Sequence, residues 1–136
     1  MSMNTLLSLV VGGVAGTLAR FALVGAVSRM FGSDFPYGTL VVNLTGCFLI
    51  GFLATLADEK FLIGPTASLL LVVGFCGAFT TFSSFILETI QLMRSGSILY
   101  AFLNIMVSVS AGFLFFYFGF LTAQRALAVF APQVIK

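Results

Sequence analysis

This sequence predicts an all-α integral membrane protein with four transmembrane helices, and three observations carry that prediction. Of 136 residues, 60% are hydrophobic and only 7% charged, against about 25% charged in an ordinary soluble domain, so too few charges remain to cover a globule in water. The mean hydropathy is +1.19. A membrane helix needs about 20 mostly apolar residues, and the chain divides into apolar runs of that order separated by short turns carrying Gly, Pro or charge. A single membrane domain over residues 1–136 follows.

The same composition excludes several functions. The six Lys and Arg are scattered singly, and a net charge of +2 offers no basic face for a nucleic acid. The chain has no His, and its two cysteines, Cys47 and Cys76, lie inside apolar stretches, so neither a zinc site nor a disulfide framework is supported. Little of the usual catalytic alphabet remains, and no enzymatic activity is expected.

The first span runs from about Thr5 to Ser28. No A-x-A-like site follows it and Arg20 interrupts it, so it reads as a retained helix. A turn bearing Arg29, Gly32, Ser33, Asp34 and Pro36 leads to the second span, about Tyr37 to Leu56, which stops at Asp58, Glu59 and Lys60. The third begins near Leu62, has Gly64-Pro65 at its head where a helix tolerates proline, and reaches about Leu92, which is long for one span. The fourth covers about Ile98 to Leu121. Beyond Gln124, Arg125, Pro132 and Lys136 mark a short interfacial segment.

Gly74-Phe75-Cys76-Gly77-Ala78-Phe79-Thr80-Thr81-Phe82-Ser83-Ser84-Phe85 places glycines and hydroxyls in the middle of the third span. Both weaken helices, the hydroxyls by competing for backbone hydrogen bonds, so a break is expected near residues 76–81. Carbonyls near Gly77 and Thr80 are then left without intrahelical partners, a state lipid tolerates only when they are buried in protein, wetted or holding an ion. The alternative is that Gly77 simply permits close helix packing. Gly12-x-x-x-Gly16 in the first span is a small-xxx-small packing pattern, and Gly46, Gly51, Gly112 and Gly119 serve packing in the second and fourth.

With four spans, Lys60, Arg125 and Lys136 fall on one side of the membrane and Arg29 and Arg94 on the other. The Lys and Arg bias that orients membrane proteins is therefore almost nil. Insertion both ways would allow an antiparallel two-fold dimer; insertion one way with a weak signal is the alternative.

Polar groups inside spans are costly, so their kind points to the cargo. Here they are mainly neutral donors. Thr39 and Asn43 lie one turn apart on the second span, Asn104 and Ser108 one turn apart on the fourth, extended by Gly112, and Thr80, Thr81, Ser83 and Ser84 crowd the third. Amides and hydroxyls replace the hydration shell of a small anion without a fixed charge that would trap it. Of 17 Phe, Phe82 and Phe85 follow the expected break on one face, where the positive edges of their rings would favour an anion. Two charges lie within spans. Arg20, near the end of the first, either snorkels to the interface or raises the potential at a pore mouth; Glu88, a turn beyond Phe85, suits an anion route only if neighbouring hydroxyls donate to it.

Gly12-Gly13-x-x-Gly16-x-x-x-Arg20, Gly38-Thr39-Leu40-x-Val42-Asn43-x-x-Gly46-x-Phe48-x-x-Gly51 and the Gly74–Phe85 segment, in that order, resemble the Fluc (CrcB-like) family of fluoride channels. The resemblance covers essentially the whole chain. It implies a dual-topology antiparallel homodimer in a prokaryotic cytoplasmic membrane, with two fluoride pores and a central sodium ion that is structural and not transported. By motif position, the backbone carbonyls of Gly77 and Thr80 would hold sodium. Phe82 and Phe85 would contact fluoride, Asn43 would donate from its side chain, and Thr39, Ser84, Ser108 and Gly112 would extend the pathway. Asn104 stands where the family often has Tyr. The implied role is passive efflux of fluoride that entered the cell as the weak acid HF. A small multidrug transporter, also four short spans, is the rival reading, but it needs a membrane carboxylate for proton exchange and would have only Glu88.

Overall fold

A computed structural model describes residues 2–60 and 63–130, and among them the regular structure is entirely helical. Helix α1 (Met3–Phe31) starts at Ser2, whose hydroxyl accepts the Thr5 amide at 3.2 Å and satisfies one of the orphan donors of the first turn. It ends at Gly32, φ 81°, a left-handed conformation that suits glycine. Helix α2 (Tyr37–Lys60) follows Pro36, whose carbonyl accepts the Leu40 amide. The third span is composite: α3 (Pro65–Ser68) has its proline at the tolerated first position, Leu69–Cys76 is wound as a π-helix, and α4 (Gly77–Phe79) stops at Thr80. Thr80 and Thr81 are extended, and α5 (Phe82–Arg94) completes the crossing. Its end is closed by Gly96 at φ 80°, with the Gly96 amide on the Met93 carbonyl and the Ser97 amide on that of Leu92, a Schellman cap. Helix α6 (Ile98–Phe130) is continuous.

Four crossings therefore stand, each of sufficient length and hydropathy to span a bilayer. The end of the fourth span differs most from the sequence expectation. The segment beyond Gln124 continues α6 through Arg125 to Phe130, because the Ala-Gln-Arg-Ala-Leu-Ala run favours helix and no Gly or Pro interrupts it. At 33 residues and 1.5 Å each, α6 is about 50 Å long, so its last turns rise out of a hydrocarbon layer of about 30 Å. The expected start of the third span at Leu62, and Pro132 and Lys136 in the tail, lie outside the described residues.

The helices pair through small residues. The closest partners are α2 with α6 and α1 with the π-wound stretch. A Cβ on Gly12 would strike the Leu70 carbonyl, one on Gly16 that of Phe75, one on Gly51 that of Phe116, and one on Gly119 that of Phe48. Backbones thus touch backbones, the packing that operates where lipid removes the hydrophobic drive between helices. Phe21, Phe113 and Phe116 face outward, whereas Phe79 and Phe85 are buried. We expect Gly51→Val and Gly119→Val each to lower the melting temperature in detergent by several degrees, a cost of at least about 2 kcal/mol from overpacking against backbone. Gly13→Val, with nothing within 4 Å of its Cβ position, should melt like the wild type.

Candidate functional site at the helix break

Both backbone groups of Thr81 leave the helix and pair with a single side chain. The Thr81 amide donates to Asn43 Oδ1 at 2.8 Å, and Asn43 Nδ2 donates to the Thr81 carbonyl at 3.0 Å. The carboxamide thereby does for Thr81 what a neighbouring strand does for an extended residue, which allows φ −148° and ψ 114° in the middle of a membrane crossing. The Thr81 hydroxyl caps α5, accepting the Ser84 amide at 3.3 Å and donating to Ser84 Oγ at 3.0 Å. Thr80 donates from both its amide and its hydroxyl to the Cys76 carbonyl, each at 3.0 Å. The break accordingly falls at the two threonines. Gly77 itself keeps helical angles, φ −63° and ψ −35°, so competing side-chain bonds rather than glycine weakness interrupt the span.

Thr39, Asn43 and Gly46, spaced by four and three, form one face of α2 laid against this region. Gly46 leaves room for the Thr80 methyl. Thr39 Oγ1 donates to Glu88 Oε1 at 2.7 Å, which supplies the hydroxyl donor that the sequence reading required for that carboxyl group. Glu88 Oε2 is buried without a hydrogen-bond partner among the described residues. Glu88 lines an open cavity of about 680 Å³ at the end of the bundle, together with Ser28, Asp34, Gln91, Ser97 and Tyr100.

Asn104 is 1% exposed and donates to Thr89 Oγ1 at 2.9 Å, and Thr89 donates to the Phe85 carbonyl at 2.7 Å. Ser108 Oγ reaches Asn104 Oδ1 at 3.5 Å. Asn104 thus joins α6 to α5 behind Phe85. Gly112 lies with Ser108 and Cys47 in a separate, largely apolar cleft of about 470 Å³ that contains no residue of the break. The rings of Phe82 and Phe85 are 5.8 Å apart and inclined at 40°, yet Phe85 is 8% exposed and Phe82 74%. Phe85 is anchored inside the protomer; Phe82 projects from it. Arg20 lies within α1, which continues to Phe31, about 16 Å along the helix axis from that terminus.

In the sequence Thr81 stands out only as one of the hydroxyls crowding the third span, and Thr89 not at all. The signal for Thr81 was available, a threonine immediately before an apolar helix whose third residue offers an amide to cap. Thr89 carried none, because its role depends on Asn104 of another helix.

The family described as "CrcB-like protein, Camphor Resistance (CrcB)" matches residues 7–120. The chain is 49% identical over 113 residues to a protein of Chlorobium phaeobacteroides (strain BS1) named "Fluoride-specific ion channel FluC", covering 83% of this chain and 88% of that one. It is 45% identical over 124 residues to a protein of the same name from Chlorobaculum tepidum, covering 91% and 98%, and 41% identical over 122 residues to one from Geobacter sp. (strain M21), covering 90% and 98%.

Proposed function

The chain belongs to the CrcB-like protein family, and from that premise we propose that it is a fluoride-specific passive channel through which cytoplasmic fluoride leaves down its gradient, with no covalent chemistry. The observation that carries the reading is the interruption of a membrane helix at Thr80–Thr81, closed by a neutral carboxamide and hydroxyls beside two phenyl rings. An anion leaving water needs donors that compensate its hydration without a countercharge that holds it. Asn43 Nδ2 carries two hydrogens, one of which is given to Thr81, so one remains for the ion. Ser84 adds a hydroxyl donor, Thr39, whose single hydrogen goes to Glu88 Oε1, holds that carboxyl group beside the route, and the edges of Phe82 and Phe85 add weak positive potential. Ser108, Asn104 and Gly112 extend the route along α6. Arg20, deep in α1, raises the local potential for an approaching anion.

The channel is an antiparallel homodimer with two pores. The near balance of Lys and Arg across the two sides supports it, as does the outward projection of Phe82 from a single protomer. A structural sodium ion fits the break. The amide that an unbroken helix would give to the Gly77 carbonyl, that of Thr81, goes to Asn43, and the amide due to the Thr80 carbonyl, that of Ser84, goes to Thr81 Oγ1. Gly77 is also open, with nothing within 4 Å of a Cβ built on it. These two carbonyls are hard oxygen donors suited to sodium. The bound ion would supply a fixed positive charge between the protomers.

The test is efflux from liposomes containing the purified protein and loaded with fluoride or chloride. Fluoride is expected to leave rapidly and chloride to stay; equal efflux of the two overturns the selectivity, and no efflux of either overturns the channel.

A further inference from the structure

We propose that Asn43 and Thr81 are positioning residues for the sodium site, each withdrawing from one carbonyl the amide that would otherwise occupy it. This rests on the channel reading above, and it gives Asn43 a second task besides donating to the anion.

The registry is specific. In an α-helix the amide of residue i bonds the carbonyl of residue i−4. The amide assigned to Gly77 is therefore that of Thr81, and the one assigned to Thr80 is that of Ser84. Asn43 Oδ1 takes the first at 2.8 Å and Thr81 Oγ1 the second at 3.3 Å. The extended Thr80–Thr81 pair opens four successive steps of the ladder, and at two of them, the ones that the sodium reading requires, a side chain takes the released amide. Thr80 does the reverse, sending both its amide and its hydroxyl to the Cys76 carbonyl and leaving that oxygen fully occupied. Asn43 also fixes where the freed carbonyls sit, because its Nδ2 holds the Thr81 carbonyl from the other side at 3.0 Å. The half-buried amide of Asn43 thereby couples α2 to the cation site through one residue of backbone.

Without that clamp the extended segment relaxes toward helix, since a freed amide and a freed carbonyl in a membrane interior pair with each other when nothing else is offered. Sodium then competes with a backbone hydrogen bond for its ligand. The anion path responds differently to the same residue, because it uses the second Nδ2 hydrogen. Substitutions that keep one function of Asn43 and remove the other separate the two.

The experiment uses the full-length protein in detergent, with sodium replaced stepwise by N-methyl-D-glucamine. The readouts are the sodium midpoint of the melting temperature and equilibrium binding of radioactive sodium. Asn43→Leu and Thr81→Ala are expected to weaken the midpoint at least about tenfold, the usual loss when a residue orienting a metal ligand is removed. Thr81→Ser, which keeps the hydroxyl, restores it. Asn43→Asp keeps the acceptor for the Thr81 amide but loses the donor to the Thr81 carbonyl, so its sodium midpoint is expected between those of the wild type and Asn43→Leu, while its charge and lost donor suppress fluoride flux in liposomes. A wild-type sodium midpoint in folded Asn43→Leu and Thr81→Ala, or a wild-type protein whose melting ignores sodium, overturns the proposal. If Asn43→Leu does not fold, the Thr81→Ala and Thr81→Ser pair decides. Sodium midpoints as expected in a protein that passes no fluoride would overturn the channel reading and uphold the positioning roles.

Discussion

Fluoride efflux from liposomes falls at least about tenfold in Phe82→Ile and in Phe85→Ile, equivalent to about 1.4 kcal/mol on the barrier in each case. The reason is the loss of a ring edge: isoleucine nearly keeps the volume but has no quadrupole to present to an anion stripped of water. The structure makes the stability consequences of the two substitutions differ. Phe82 is 74% exposed on the protomer and Phe85 only 8%, so Phe82→Ile should leave the packing within the protomer and its helical content unchanged. Phe85→Ile, set among the α5 and α6 side chains near Thr89 and Asn104, should cost roughly 1 kcal/mol, as volume-conserving core exchanges do. Flux is measured with a fluoride electrode and normalised to protein incorporated. Wild-type flux in both variants would remove the rings from the pathway.

The crossings were legible because composition and turn chemistry suffice to specify them. Long apolar runs separated by Gly32, Pro36, Pro65 and Gly96 have few other arrangements in lipid, and the packing glycines follow from the same logic. The break was legible as an event in the Gly74–Phe85 segment, since hydroxyls and glycines concentrate there. Its exact cause was not, because it depends on Asn43, 38 residues away from Thr81. No local pattern records which of two threonines will be clamped from another helix. The role of Asn104 was obscured similarly: its spacing from Ser108 read as one polar face, but its amide turns to Thr89 on α5. The end of the first span was read three residues early because Ser28 and Arg29 look like a boundary, whereas Arg29 folds back to the Gly25 carbonyl at 3.0 Å and the helix continues to Phe31. The π-winding of Leu69–Cys76 had no sequence signal at all, as that run is uniformly apolar.

Gly77→Val should abolish fluoride flux and sodium-dependent melting while leaving the protomer folded. The sequence left two roles open for Gly77, packing against a neighbouring helix or freeing its carbonyl, and the structure separates them. Gly12, Gly16, Gly51 and Gly119 each meet another helix's backbone where a Cβ would stand, and Gly74 meets Gly12. Gly77 meets nothing within 4 Å, so it serves no close approach inside its own protomer. A valine there adds only the helix-propensity difference, under about 1 kcal/mol, and helical content in detergent should be retained. What it does add is a branched side chain on the open surface where the proposed antiparallel partner and sodium ion would sit. Size-exclusion chromatography with light scattering is expected to show loss of the dimer, and liposome flux to fall at least about a hundredfold, equivalent to about 2.7 kcal/mol. Gly77→Ala should retain a measurable part of both. A folded Gly77→Val that remains dimeric and conducts normally would show that the carbonyl of residue 77 lies away from the partner, and the sodium assignment would fall with it.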